Sequence, residues 1–292
     1  MQQNVAIQEA AVKAGVTAGP TSIEFKAETV AGSKTTALDF GDTYVNRTLP
    51  LSSAMDPNRS TAVRYDKVKR KLVFVPSIFR AEDGGASVEI KHNSNGVYTI
   101  VNGGPTFGDL PAGYWAKADI ELLAAKGIVD GSVKGIFKPS KPVTRAEFAA
   151  MLVRALGLEE RATPLFRDTV KGSWYGGYLS AAYSAGLVKG YEDGGFRPES
   201  RISRQEMALL VYQALQYTGH VSVSSKNEQT LEGYADRSSI AAWAQNAVAT
   251  VTAQGLAKGM DTGRYEPHAT ATRAEAVAMI KRLLQKIEFI NK

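Results

Sequence analysis

Three arginines are the residues of this chain whose placement most clearly predicts chemistry. Each stands second in a four-residue motif, at 144–147, 203–206 and 272–275, directly before an apolar helical pattern. The arginine therefore falls on the first turn of a helix, where the macrodipole disfavours a cation by about 0.3–1 kcal/mol. A guanidinium can hold a carboxylate through two parallel hydrogen bonds, and a helix N-terminus adds free amides. We expect the three to bind an anion: Arg145, Arg204 and Arg273.

The alternative for each arginine is an ion pair within the fold, with the aspartate of its own repeat or with a neighbouring repeat. The other motif residues fit a capping box, in which a hydroxyl accepts from the third helical amide and a glutamate reaches back to the cap amide. The residues predicted to cap in this way are Thr144, Glu147, Ser203, Glu206, Thr272 and Glu275.

Each arginine motif closes a longer series of residues at constant spacing. An aromatic-x-Asp opening, a tryptophan, two glycines and an aromatic-x-Pro precede it in all three copies. The tryptophans are either core or a surface on which sugar C–H groups pack, and the aspartates are either caps or ligand contacts. The aromatic residues before proline are predicted to be core. In chain order these are Trp115, Trp174 and Trp243; Asp109, Asp168 and Asp236; and Phe137, Phe196 and Tyr265.

Three copies at fixed spacing predict one supersecondary unit used three times around a shared core. Each copy has the pattern of two helices joined by a Gly/Pro-rich loop. The second helix has apolar residues at i, i+3, i+4 and i+7, which predicts a buried face. The first helix ends at a glycine suited to a left-handed conformation. The buried positions are Phe148, Met151, Leu152 and Ala155; Met207, Leu210, Val211 and Ala214; Ala276, Met279, Ile280 and Leu283, and the glycines are Gly127, Gly186 and Gly255.

The F-x-D…W opening, the G-(I/L)-(V/A)-x-G turn and the T-R-A-E tetrapeptide resemble S-layer homology (SLH) domains over roughly residues 105–287. The resemblance implies an all-α, three-pronged, pseudo-threefold bundle. It implies that grooves between repeats bind secondary cell wall polysaccharide carrying pyruvylated N-acetylmannosamine. The motif arginines would be the key contact to that acidic sugar, with the Trp and Asp positions as groove neighbours. Gln205 and Tyr234 depart from the family pattern, which leaves the relative affinities of the grooves open.

The first 104 residues have a different pattern. A weakly amphipathic stretch at 5–14 predicts a helix that stops at Gly15, and alternation from Ser22 onward predicts an antiparallel β-meander. We expect a β-sandwich-like module, whole or truncated, with strands at 23–26, 62–65, 72–79, 88–91 and 97–101. The predicted organisation is α+β multidomain: a β-module at 1–104, then repeats at 105–160, 161–230 (with a linker at 217–233) and 231–292.

Composition narrows the function. The 292 residues carry 35 Lys and Arg against 29 Asp and Glu, which favours acidic partners. Nucleic acid would need a basic stripe with interleaved aromatic residues, and membrane insertion would need a long apolar run. Neither pattern is present. The sequence contains no cysteine and no metal-binding or nucleophile motif, so we expect no metal, no cofactor and no catalysis.

The resulting prediction is a non-enzymatic anchor on the cell wall of a Gram-positive bacterium. Residues 1–20 lack the pattern of a signal peptide, which leaves either a cytosolic protein or a fragment of a longer exported precursor, and the repeats favour the fragment. Two alternatives stay open. The first is an S-layer subunit that self-associates through the β-module, and the second is a fragment of a wall-anchored, polysaccharide-acting enzyme.

Overall fold

The computed structural model describes residues 2–82, 85–133, 135–161, 166–221 and 228–292. The chain forms two compact units that interleave along the sequence. Unit 1 comprises Met1–Phe137, Arg154–Gly157 and Glu288–Lys292, and unit 2 comprises Lys138–Val153 and Leu158–Ile287. The division predicted from the sequence, into residues 1–104, 105–160, 161–230 and 231–292, remains a prediction.

Unit 1 begins with the expected helix, α1 (Gln2–Ala14). It ends at Gly15, whose φ of +70° lies in the left-handed region that glycine adopts without strain. Ile7, Ala10 and Ala11 on one face are buried against apolar residues of the first sheet. This burial stabilises a helix that has little amphipathic character of its own.

Nine strands follow in the described part of unit 1, and all of their pairings are antiparallel. The sheets are β1-β9-β5-β6, β4-β8-β7 and the hairpin β2-β3. The predicted meander is therefore wrong, because β9 lies between β1 and β5. The bounds are β1 (Val16–Phe25), β2 (Glu28–Ala31), β3 (Lys34–Ala37), β4 (Val45–Leu51), β5 (Ser60–Asp66), β6 (Lys71–Val75), β7 (Ser77–Glu82), β8 (Gly85–His92) and β9 (Gly96–Gly103).

The predicted strand at 72–79 is two strands in different sheets. Pro76 stands between β6 and β7, and a proline has no amide with which to continue a ladder. Side chains from both larger sheets nevertheless share one core cluster, which includes Val75 of β6, Phe79 of β7 and Tyr98 of β9. The two sheets thus pack as a sandwich, with α1 on the other face of the first sheet.

The expected pair of helices is present in each repeat. They are α2 (Lys117–Ala125) and α3 (Arg145–Ala155), α4 (Gly176–Ser184) and α5 (Arg204–Tyr217), and α6 (Ala242–Ala253) and α7 (Arg273–Lys286). Every apolar residue predicted for the face of the second helices is at most 6% exposed, so that prediction is confirmed. Gly127, Gly186 and Gly255 have φ of 67°, 68° and 72° directly after the helix caps, as expected.

The linker predicted at 217–233 is described only at its ends. Tyr217 closes α5, Glu228–Gly233 forms a 3-10 turn, and residues 222–227 lie outside the described part. A second 3-10 turn spans Arg237–Ser239. The chain is thus an antiparallel β region followed by helices, as the α+β prediction stated. No helix among the described residues has the length and apolar character needed to cross a bilayer.

Candidate functional site

The N-termini of α3, α5 and α7 are joined in a cycle by backbone hydrogen bonds. The amide of Arg145 donates to Ser200 O (2.9 Å), that of Arg204 to Ala269 O (3.0 Å), and that of Arg273 to Lys141 O (2.9 Å). Each helix thus donates to the loop before the next motif helix, and the third returns to the first. The following amides repeat the cycle at 3.0 Å: Ala146 to Pro198 O, Gln205 to Pro267 O and Ala274 to Pro139 O.

This cycle corrects one expectation from the sequence. An anion was expected to use free amides at the helix N-termini, but the first two amides of each helix already donate to a neighbouring repeat. The third amide is also occupied. Glu147 N donates to Thr144 Oγ1 (3.2 Å) while Thr144 N donates to Glu147 Oε2 (2.8 Å), and α5 and α7 contain the same capping box. Any anion must therefore be held by side chains.

Arg145 and Arg204 reach into the next repeat, and all three motif arginines lie almost buried. Arg145 is 6% exposed; its Nε donates to Phe196 O (2.9 Å) and its Nη1 pairs with Glu206 (2.8 Å). The ion pair with a neighbouring repeat is thus present. It explains why a cation is tolerated at this position, because the charge lies against a carboxylate and not at the end of its own helix.

The second and third arginines are equally buried. Arg204 is 8% exposed and donates to Tyr265 O and Lys258 O, both at 2.8 Å, and its Nη1 lies 3.5 Å from Glu275. Arg273 is 6% exposed. Arg145 and Arg204 each point to the glutamate of the next capping box, so that glutamate serves both its own helix and the preceding repeat.

Glu206 shows how this double role affects ionisation. Its Oε2 accepts from the Ser203 amide (2.8 Å), and its Oε1 accepts from Arg145 and from the Tyr191 hydroxyl (3.0 Å). Burial alone would raise the pKa of Glu206. The bonds from Ser203, with the charge of Arg145, more than offset it, so the pKa lies below its ordinary value. The carboxylate is therefore charged at neutral pH.

A groove of about 610 Å³ opens within unit 2 beside this ion pair. Its size is within the range of ordinary small-ligand sites. It combines charged groups with apolar side chains. The lining residues used below are Arg145, Tyr191, Arg197, Glu206, Leu210 and Trp243.

Arg145 keeps one donor group available on this groove. Its Nε and Nη1 have the partners given above, and within the described part of the chain no hydrogen bond involves its Nη2. The guanidinium lies over the rings of Phe196 (4.6 Å from Cζ to the ring centre) and Tyr191 (4.9 Å). The side chain is thereby fixed in position, and the two N–H groups of its Nη2 can donate to an acceptor in the groove.

The predicted tryptophans are surface residues. Trp115, Trp174 and Trp243 are 59%, 53% and 54% exposed, so the alternative that they form core is wrong. Trp243 lines the groove together with Arg145 and Glu206, which brings three of the predicted site residues together. An exposed indole beside a fixed cation can contact the apolar face of a sugar.

The predicted aspartates hold the turn before each aromatic-x-Pro. Asp168 accepts from Phe196 N (2.9 Å) and from Arg197 N (2.6 Å), and Asp236 accepts from Tyr265 N (2.8 Å) in the same way. Asp109 accepts from the amide of Phe137 (2.8 Å). These bonds match the turn-capping alternative. The aromatic residues Phe137, Phe196 and Tyr265 are fully buried, as predicted.

The sequence did not single out Tyr191 and Arg197, which the structure adds to the groove. Arg197 lies over the Tyr191 ring, 3.9 Å from Cζ to the ring centre, and pairs with Asp193 at 3.5 Å. The available signal was the aromatic-x-Pro motif, whose middle residue has φ near +60° in every repeat: Lys138 (61°), Arg197 (57°) and Glu266 (57°). No group of histidines and carboxylates in the described ranges could hold a metal ion.

Comparison with known proteins identifies the family to which these repeats belong. The model of the S-layer homology domain matches residues 106–149, 165–208 and 233–277. An amylopullulanase of Thermoanaerobacterium thermosulfurigenes is 34% identical over 83% of this chain and 13% of its own length. The exoglucanase XynX of Acetivibrio thermocellus is 38% identical over 62% of the chain and 16% of its length.

An S-layer protein of Bacillus thuringiensis is also similar, with 33% identity over 63% of this chain and 22% of its own length. The chain spans about a fifth or less of the length of these relatives. What they share with it is mainly the repeated part that contains the arginine cycle. Residues 106–277 therefore comprise three S-layer homology domains, and through them this chain belongs to the S-layer homology family.

Proposed function

We propose that this chain is a non-covalent anchor, which binds an anionic secondary cell wall polysaccharide in grooves between its repeats at the surface of a Gram-positive bacterium. S-layer homology domains anchor S-layer proteins and surface enzymes to the cell wall. The observation that carries the proposal is a groove large enough for a sugar that is lined both by Arg145, whose Nη2 can donate, and by the exposed Trp243. The proposed ligand is polysaccharide with pyruvylated N-acetylmannosamine.

In this proposal the carboxylate of the pyruvyl group accepts from Arg145, and the sugar ring packs on Trp243. Leu210 supplies apolar surface for a methyl group of the ligand. The cyclic hydrogen bonds support a pseudo-threefold bundle, in which Arg204 and Arg273 occupy equivalent positions, although Nη2 of Arg204 already donates to Lys258 O. The aspartates act indirectly, since their oxygens hold the turn that lines the groove.

The experiment is co-sedimentation with wall sacculi before and after chemical removal of the polysaccharide. Changing Arg145, Arg204 and Arg273 together to Ala should abolish binding. Because these arginines also join the repeats, a second variant changes Trp115, Trp174 and Trp243 to Ala, which are more than half exposed and can be lost without opening the core. Tyr183→Ala, an exposed aromatic residue that does not line the groove, is the matched control. Equal binding to stripped sacculi would reject the proposal.

A second candidate is that the chain is a fragment of a wall-anchored, polysaccharide-acting enzyme. The similarity to the amylopullulanase covers 83% of the chain, which is more than the repeats occupy, so it extends into the β region. The anchor itself would remain non-catalytic. Release of reducing ends when the chain is incubated with purified wall polymer would place catalysis within these residues.

Similarity to S-layer proteins favours a role for the chain in a self-assembled lattice, with contacts through the β-module. Sedimentation velocity of the whole chain at rising concentration tests this role. Concentration-dependent growth beyond a monomer supports it, and a strict monomer at all concentrations opposes it.

A further inference from the structure

The repeats differ at one position whose backbone is the same in all three. Lys138, Arg197 and Glu266 occupy the middle of the aromatic-x-Pro motif with φ of 61°, 57° and 57°. In the second and third repeats their amides donate to the same aspartate position, Arg197 N to Asp168 at 2.6 Å and Glu266 N to Asp236 at 2.9 Å. The side chain therefore leaves the backbone in the same direction, and only its charge differs.

In the second repeat this side chain lies on the groove. Arg197 lines it, and both Arg197 and Arg145 lie over the ring of Tyr191, at 3.9 Å and 4.9 Å from its centre. Because both distances are measured to one ring centre, the two guanidinium carbons lie no more than about 9 Å apart. Both side chains line the groove, so a carboxylate bound there lies within about one Debye length of both cations.

The partner of Arg197 does not prevent this use. Asp193 lies 3.5 Å from its guanidinium, and the side chains are 53% and 40% exposed. Exposed pairs of this kind are weak, and Asp193 also pairs with Arg167 at 2.9 Å. Arg197 can therefore exchange this contact for one with a ligand.

The third repeat lacks both parts of this arrangement. Met260 stands in the place of Tyr191: Tyr191 N donates to Gly195 O (2.8 Å) and Met260 N to Arg264 O (2.7 Å) in the same turn. Glu266 replaces Arg197. A ligand carboxylate at Arg204, the arginine that reaches this repeat, would meet a glutamate where Arg145 has a neighbouring arginine.

We propose that Arg197, positioned by Tyr191, is a second anion-binding residue of the groove at Arg145, and that Glu266 weakens the equivalent groove at Arg204 toward acidic sugars. The inference rests on the proposed function, since it assigns the acidic group of that ligand to two cations. It makes the groove at Arg145 the high-affinity site of the two.

The test exchanges the two charges. Arg197→Glu and Glu266→Arg each introduce a residue type that the same left-handed backbone already accepts in another repeat, so both variants should fold. Lys69→Glu, in an exposed turn of unit 1, changes the net charge as much as Arg197→Glu and is the matched control. Tyr191→Met removes the ring with the residue that the third repeat uses.

The probe is the methyl glycoside of pyruvylated N-acetylmannosamine, with the same glycoside lacking the pyruvyl group for comparison. The ¹⁵N signal of the Trp243 indole, assigned with Trp243→Phe, reports on the groove at Arg145 alone, and calorimetry reports on all sites. We expect Arg197→Glu to raise, at least tenfold, the ligand concentration at the midpoint of the titration followed by the Trp243 signal. Tyr191→Met should raise this concentration less. Glu266→Arg should leave the Trp243 midpoint unchanged and tighten the weaker calorimetric sites.

Each other outcome opposes the inference. A midpoint within twofold of the wild type for Arg197→Glu, or an equal loss in Lys69→Glu, overturns it while the proposed function stands. Unchanged calorimetric sites in Glu266→Arg overturn the assignment to Glu266. If the wild type does not distinguish the two glycosides, the proposed function fails and the inference fails with it.

Discussion

At the scale of single residues, the first position of a motif helix accepts an arginine because its guanidinium lies away from the N-terminus of its own helix. Arg145 lies against Glu206 and two aromatic rings of the next repeat, where its charge is paired with a carboxylate and two of its five N–H groups have partners. One buried side chain therefore serves two purposes. It joins two repeats, and it lines a groove.

Asp168→Asn should reduce both stability and ligand binding. The carboxylate accepts from the amides of Phe196 and Arg197, and the carboxamide offers only one good acceptor for the two. A hydrogen bond to a charged group contributes about 1.5–3 kcal/mol, so we expect a loss of about 2 kcal/mol in the free energy of unfolding. Urea unfolding measures it. Glu199→Gln, on an exposed residue nearby, is the control, and an equal effect of both changes would contradict this role of Asp168.

His92 should make unit 1 sensitive to acid. The side chain is fully buried; Ser94 N donates to its Nδ1 (3.2 Å), so its Nε2 carries the proton and donates to Gly157 O (3.2 Å). Burial, together with the charge of Arg64, lowers its pKa to about 3. The unfolded chain binds the proton near the ordinary value of about 6.5. Stability is therefore full above pH 6.5 and decreases as the pH falls toward 3.

When the pH is lowered from 7 to 5, protonation of His92 in the unfolded chain should reduce the free energy of unfolding by about 2 kcal/mol. Each pH unit below 6.5 reduces it by about 1.4 kcal/mol. Urea unfolding at both pH values measures the change. His92→Gln should be less stable at pH 7 but should depend less on pH, because carboxylate titration is common to both proteins. The same pH dependence in both would show that His92 is not responsible.

At the scale of elements, the two glycines of each loop are required for different reasons. Gly186 is left-handed with open space around it, whereas a Cβ on Gly190 would lie 2.8 Å from the Phe166 ring and 3.1 Å from Gly195 O. Gly186→Ala should cost about 1–2 kcal/mol for the conformation alone. Gly190→Ala should cost about 1–3 kcal/mol through overpacking and should also weaken ligand binding, because the displaced turn lines the groove.

Thermal unfolding and binding to wall polymer, measured on both variants, separate these effects. Gly186→Ala should bind normally once it is folded. If Gly190→Ala also binds normally and has an unchanged midpoint of thermal unfolding, the close approach of the Phe166 ring is not important for the turn.

The helices of the repeats were predictable because burial on one face leaves a strong period in the sequence. The strands β2 and β3 were not, since every residue in them is exposed and no alternation marks them. The tryptophans could have been core or surface by composition alone. Tyr191 and Arg197 could not be assigned from the sequence, because their role depends on which loop the preceding arginine reaches.

At the scale of the whole molecule, the last residues of the described chain belong to unit 1. Phe289 and Ile290 are 3% and 2% exposed, and Ser77 N donates to Phe289 O (2.9 Å). The Asn291 side chain pairs with both backbone groups of Phe79, at 3.0 Å and 2.8 Å. These contacts add to the edge of the β7 strand.

Removal of residues 288–292 should therefore destabilise unit 1. Two apolar side chains contribute about 1.5–3 kcal/mol each, so we expect a loss of about 3–6 kcal/mol and a lower melting temperature of the β region. Differential scanning calorimetry measures it, and removal of Lys292 alone, which is exposed, is the control. An unchanged thermogram after the longer truncation would show that the segment contributes nothing to unit 1.

The interleaving of the two units has a consequence for proteolysis and for mechanical load. The chain passes between them after Phe137, Val153, Gly157 and Ile287. A protease cut after Phe137 leaves residues 154–157 and 288–292 of unit 1 on the fragment that contains unit 2, so noncovalent contacts within unit 1 would hold the two fragments together. A pulling force on the N-terminal fragment would then be borne by contacts such as those from Ser77 N to Phe289 O and from His92 Nε2 to Gly157 O.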